Sequence, residues 1–320
     1  MPAGNILDPS SGHAPASPQI LGFGPDTGVQ AKAFGAPGAQ IYYVDPNNPS
    51  AFDLNNFGQS PDAPLLTIQA AVNLCRAYRG DTIVVAPNDA WQFAAQVRNT
   101  PITEAVIIPA SKGGIHIVGM ATNPMACTWS PPANNGVALT VHATDVLVEG
   151  FLFYPGSFTG CTAIVAEWDS TPGVDRFGEN LHVHHCFFPN ELAIGISMDF
   201  SWYCAIHTNY FEGLGTAAIL NTSVVGDADF CHIEENHFKD CVLAISMPGA
   251  DGCHVYHNWL NGDPTGTNNF IDLTGGQDNL VSTNYLSCSI VQYDTTCSDA
   301  GSGSWLDNVC NNGWPAAPPT

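Results

Sequence analysis

The sequence predicts an all-β solenoid: a parallel β-helix with a capping helix near its start and an irregular arm at each terminus. Three observations lead there. One eight-residue phrase recurs six times, as VLVEGFLF from Val146, LHVHHCFF from Leu181, CAIHTNYF from Cys204, CHIEENHF from Cys231, CHVYHNWL from Cys253 and NLVSTNYL from Asn279. A weaker copy, IHIVGMAT, begins at Ile115. Its third position is always Ile or Val, its eighth is Phe or Leu in the six strong copies, and its sixth is Asn at Asn209, Asn236, Asn258 and Asn284. Those asparagines are 27, 22 and 26 residues apart, a period that marks stacked repeats rather than a globular sheet.

The second observation is the pattern within a copy. Positions one and three are apolar and positions two and four mostly polar, the period of a strand with one buried face. A turn is expected at positions five and six, with Asn supplying left-handed backbone angles. A second short strand then buries position eight. Third, each copy is followed by another apolar segment: LAIGISM at Leu192, AAILNTS at Ala217, VLAISMP at Val242 and NFIDLTG at Asn269. Three short strands per ~25 residues make one turn of a parallel coil. Turns about 4.8 Å apart place equivalent residues on top of one another. Asn209, Asn236, Asn258 and Asn284 are therefore expected to form a ladder of amides bonded from turn to turn.

The elements follow in order. Residues 1–40 are rich in Pro and Gly and have no periodicity, which reads as an extended arm ordered on a partner. Residues 41–295 are assigned to the coil. Within them Ile68, Ala71, Val72 and Cys75 share one face at helical spacing, Thr67 is a candidate N-cap and Gly80 a candidate stop, so a capping helix is expected near 67–79. It would cover strand edges that otherwise invite aggregation. Residues 296–320 read as a Gly/Ser/Pro-rich tail carrying Trp305 and Trp314.

Residues 41–88 contain a strand, a Gly/Asp/Asn loop, TIQAA and GDTIVV in succession. With the repeats, this resembles the right-handed parallel β-helix of the pectin-lyase-like superfamily, over roughly residues 41–295. The resemblance implies the fold and its hand. It leaves function open, because that superfamily spans lyases, hydrolases, tailspikes and virion proteins. The NTD, DD, GHG and RIK motifs of its polygalacturonase-like hydrolases are absent here. A lyase of this fold would need an Arg or Lys base, and from the first strong repeat at Val146 onward the coil's body offers only Arg176 and Lys239, neither in a recognisable motif. Glu191, Asp199, Glu212, Glu234, Asp240 and Asp272 are available as hydrolase carboxylates, but such pairs arise by chance on an acidic solenoid.

Composition excludes other classes. Seven basic and 29 acidic residues give a net charge of −22, which argues against nucleic acid as a partner. No run of 18 apolar residues occurs, so no membrane-spanning helix is expected. The first residues lack the positive start and apolar core of a signal peptide, which reads as synthesis in a cytoplasm. Of the 11 cysteines, none forms a CxxC pair. Cys204, Cys231 and Cys253 share position one and read as buried thiols, whereas Cys297 and Cys310 in the tail are disulfide candidates. The oxygen-rich loop DPNNPSAFDLNNFG, residues 45–58, lacks the residue order of a calcium-binding EF-hand loop.

Eight of the 11 histidines fall between residues 182 and 257. His182, His232 and His254 occupy position two; His184, His207 and Glu234 occupy position four in three successive turns. The latter three form a column chemically able to bind zinc or another first-row metal. The competing reading is a stacked or interfacial histidine face. No cofactor is expected.

The chain most resembles the phage-encoded virion members of that superfamily, and together with the features above this resemblance implies a non-enzymatic structural protein of a bacteriophage-like virion: a capsid decoration protein, head fibre or spike. It would dock on capsid or other virion proteins through residues 1–40, as a homotrimer, with a surface glycan as a further partner. The alternative is a glycan-binding or depolymerising tailspike, lyase-like or hydrolase-like, on the same coil.

Overall fold

A computed structural model describes residues 38–54, 57–87, 101–120, 124–169, 178–222, 228–262, 269–287, 297–298 and 303–310. These residues form a right-handed parallel β-helix of three sheets. The first sheet has ten strands and runs from Ile41–Val44 to Ser304–Leu306. The second has nine, from Ile102–Thr103 to Val309–Cys310, and the third has eight, from Val106–Ile108 to Cys297–Ser298. Neighbouring strands pair in parallel, so the chain visits the three sheets in turn and climbs one level per circuit.

The repeat fixes the register. Positions two to four of each phrase form the first-sheet strand: His182–His184 pairs with Ala205–His207, and that strand with His232–Glu234. Val183, Ile206, Ile233, Val255 and Val281 at position three are buried, as the alternation requires. Position eight enters the core from the second sheet. There Phe153, Phe188, Phe211 and Phe238 form a column of nearly parallel rings, with centroids 5.2, 4.6 and 4.9 Å apart. Parallel, offset rings are a favourable aromatic arrangement in a dry interior.

The asparagines at position six are buried and bonded along the axis. Asn209, Asn236 and Asn258 each donate through both backbone N and side-chain Nδ2 to the Oδ1 of the asparagine one turn on, at 2.9–3.1 Å. Each Nδ2 also donates to a position-three carbonyl of the preceding turn: Val183, Ile206 and Ile233 respectively. Asn284 continues the chain onto Asn308, whose Nδ2 reaches the Val281 carbonyl.

Four expectations need correction. The left-handed backbone angle falls on position five, not on the asparagine: His185, Thr208, Glu235, His257, Thr283 and Asp307 have φ of 54–57°. The asparagine contributes hydrogen bonds rather than conformational freedom. The coil also passes residue 295, since Cys297–Ser298, Ser304–Leu306 and Val309–Cys310 extend all three sheets. GSWLDNVC, residues 303–310, is a seventh copy, concealed by Trp at position three and Cys at position eight. Third, Cys297 and Cys310 lie on different sheets and are not joined in a disulfide, and all the described cysteines are buried. The thiols of Cys75, Cys127 and Cys186 are pushed up by burial to about 12 and stay protonated.

The capping helix is shorter than expected, Ile68–Leu74, and ends at Cys75 rather than Gly80. Thr67 caps it by accepting from Ala70 N, and the Glu104 carboxylate accepts from Ile68 N and Gln69 N. Ile68, Ala71, Val72 and Cys75 are fully buried. The helix packs on Ile41–Val44, Thr82–Val85 and Val106–Ile108, the first strands of the first and third sheets. Residues 1–37 and 311–320, which hold the proposed docking arm and Trp314, lie outside the described residues, as does Arg176.

Candidate binding surfaces on the coil

Because equivalent positions stack, any outward position becomes a lane parallel to the axis. The most continuous aromatic lane is position seven on the second sheet. Phe187, Tyr210, His237, Trp259 and Tyr285 pair in register through five turns. Their centroids are 5.1, 4.8, 5.3 and 5.3 Å apart, with interplanar angles from 34 to 88°. The lane is about 19 Å long, four steps of one strand spacing. Trp259 is 53% and Tyr285 39% exposed, so the lane opens to solvent at its later end.

A polar lane runs beside it at position nine, where Glu212 faces Lys239 and Lys239 faces Asn261. Lys239 Nζ donates to Glu212 Oε1 at 2.5 Å. That hydrogen bond and the carboxylate's charge raise the lysine pKa. Lys239 is thus held protonated, the opposite of what a proton-abstracting base requires. Asp199 accepts from the Thr222 amide and hydroxyl, and Asp272 from those of Thr274. The first contact ties two successive turns of the coil together, and the second closes a local turn.

A second aromatic group sits where the third sheet turns into the first. Tyr203 and Phe230 occupy left-handed positions in consecutive turns and stack 5.4 Å apart at 14°, both exposed. Gly252 follows them at φ 64°, and a Cβ there would come within 2.7 Å of the Phe230 ring. Glycine therefore leaves room for the aromatic above it.

The histidine face lies on the first sheet. His184, His207 and Glu234 line up in register across three turns. Yet His184 and His207 stack almost parallel, at 4.7 Å and 13°. An imidazole lone pair lies in the ring plane, so stacked rings direct their lone pairs side by side rather than at one point. The side chains that do converge are Glu149, His184 and His185. Glu149 was within reach of sequence reasoning: it is position four of the first strong copy, one level before His184. His185 was less so, because its approach depends on the left-handed angle at position five. Burial lowers the pKa of His185, His207, His232 and His237, so these rings favour the neutral form.

No protein-family model matches the chain, and no curated protein matches it. Among solved structures it is similar to an alginate lyase from Paenibacillus sp. str. FPU-7, with a TM-score of 0.50 and 12% identity. That match covers 76% of this chain and 96% of the other. It is also similar to the PL6 family alginate lyase AlyGC, with a TM-score of 0.41 and 14% identity over 69% of this chain and 31% of the other. The pectate lyase Pel9A matches with a TM-score of 0.31 and 13% identity over 82% of this chain and 79% of the other. At 12% identity the first of these likenesses extends to the fold alone, and the chain is a right-handed parallel β-helix. Among the described residues, no helix is long and apolar enough to cross a membrane.

Proposed function

We propose that this chain is a non-enzymatic, glycan-engaging β-helical surface protein, of the kind carried as a decoration or spike on a bacteriophage-like particle. The observation that carries the glycan part is the aromatic lane from Phe187 to Tyr285, which ends in exposed Trp259 and Tyr285. Aromatic faces flanked by charged and amide groups suit sugars, which present C–H surfaces edged by hydroxyls. One ring per turn, about 4.8 Å, is close to the rise of one unit in an extended polysaccharide. The absence of the hydrolase motifs and the protonated state of Lys239 support the non-enzymatic part. Attachment to capsid proteins through residues 1–40 and assembly as a homotrimer complete the proposal; several weak arms acting together would bind far more tightly than one.

The test is retention on immobilised acidic and neutral polysaccharides, comparing wild type with Trp259→Ala and Tyr285→Ala. Retention that falls at least about tenfold in both variants, with no shortening of the polymer, is the expected result. Release of unsaturated oligosaccharides from alginate or pectate would instead establish a lyase, and release of reducing ends a hydrolase. A Trp259→Ala protein that keeps its retention but changes its oligomeric mass would make the lane a subunit seam.

A further inference from the structure

We propose that Glu149, His184 and His185 form a zinc-type divalent metal site that staples two successive turns of the coil. The three side chains come from one corner, where the first sheet bends into the second. Glu149 is the last residue of its first-sheet strand and pairs in register with His184, the last residue of the next. His185 follows at φ 54°, the left-handed position shared by the turns from Gly150 to Asp307. That angle brings His185 back against its neighbour, so that the two Nδ1 atoms lie 2.8 Å apart.

The donor spacing is that of a small first-row ion. Glu149 Oε1 is 3.7 Å from His184 Nδ1 and 3.8 Å from His185 Nδ1. A point equidistant from three atoms so placed lies about 2.0 Å from each, matching zinc's usual bonds to imidazole nitrogen and carboxylate oxygen. The ring orientations agree. His184 and His185 are inclined at 75°, so their in-plane lone pairs can meet, unlike those of the parallel His184 and His207 rings.

The environment sorts the candidate ions. The Glu149 and His184 side chains are 1% and 7% exposed, which makes two rigid, dry ligands. The His185 side chain is 52% exposed and leaves a solvent side for entry and for a water as fourth ligand. Two imidazoles and one carboxylate suit zinc and its first-row neighbours. Calcium needs six to eight oxygens, and these residues offer too few.

The experiment uses the full chain, stripped with a chelator, dialysed, and titrated with zinc by calorimetry, with metal content read by elemental analysis. One zinc per chain and a higher melting temperature with zinc than without are expected. Cobalt(II) should give a visible d–d spectrum at one equivalent. His185→Asn, which keeps a residue tolerant of left-handed angles at a half-exposed position, should remain folded and lose at least about 100-fold in affinity. Glu149→Gln should also weaken binding. His257→Asn, at position five three turns later, should leave it unchanged. His207→Phe, which keeps a ring in the stack, should do the same. Failure of the stripped wild type to take up zinc would overturn the proposal. So would binding that survives His185→Asn, or binding lost instead in His207→Phe.

Discussion

Asn236→Leu is the substitution that most directly tests the ladder. The Asn236 Oδ1 accepts from Asn209 N and Asn209 Nδ2, and its Nδ2 donates to the Ile206 carbonyl and to Asn258 Oδ1. Leucine is close in size, so the change chiefly removes these bonds. It strands one backbone N–H and one amide hydrogen of Asn209 in a core where Asn209 is 3% exposed. The Ile206 carbonyl also loses a donor, whereas Asn258 Oδ1 keeps Asn236 N at 3.0 Å. With each stranded buried group worth about 1–3 kcal/mol, partly offset by relaxation, the expected loss is about 2–4 kcal/mol. Asn209→Leu is the internal control. Its Oδ1 accepts from Cys186 N, without the second, side-chain donor that Asn236 satisfies, so it should cost less. The assay is urea unfolding of both variants, paired with amide hydrogen exchange. Exchange at the Asn209 amide should accelerate in Asn236→Leu more than at amides several turns away. A loss below about 0.5 kcal/mol, within the range of ordinary surface changes, would refute the reasoning. So would unchanged protection at Asn209.

Phe211→Ala should destabilise by about 3–5 kcal/mol in the same unfolding assay, because the ring is fully buried between Phe188 and Phe238. Thr283→Gly should raise the melting temperature, since a β-branched residue at φ 56° carries about 1 kcal/mol of strain that glycine lacks; an unchanged or lower value would count against that assignment. Acidification should weaken the fold through His232 and His237, whose folded pKa values are lowered chiefly by burial. The unfolded chain takes up their protons first, so their contribution holds above about pH 6.5 and is lost as pH falls through the lower folded values. Relief of the net −22 charge acts in the opposite direction. The informative measurement is therefore the difference between wild type and a His232→Gln, His237→Gln double variant at pH 7.5 and 5.5, and an equal response in both would refute the histidine contribution.

Much of this architecture is legible in the sequence because a solenoid writes its register as a period. The alternation around Val183 and Ile206, the phenylalanines at position eight and the four asparagines each place a residue in a known column. What is not legible depends on backbone angles and on side-chain direction. Nothing in the letters assigns the left-handed angle to Thr208 or Glu235 rather than to the asparagine that follows. The seventh copy is hidden because Trp305 and Cys310 replace the usual residues while keeping their inward places. Register alone places His184, His207 and Glu234 in one column. Ring planes decide convergence, and they favour Glu149 and His185 over His207 and Glu234.

The spacing between ladder asparagines, 27, 22, 26 and 24 residues from Asn209 to Asn308, varies while the register does not. Length differences are absorbed between strands, so the coil behaves as a ruler graduated in whole turns. Duplicating one level, such as residues 231–252, would lengthen the molecule by about 4.8 Å. It would also add one rung to the ladder and one ring to the aromatic lane, while every other residue kept its inward or outward place. A single residue inserted inside a strand would do the reverse, exchanging core and surface positions for the rest of that strand. The reach of this protein can therefore change in steps, by recombination of complete turns, without any new packing having to be invented.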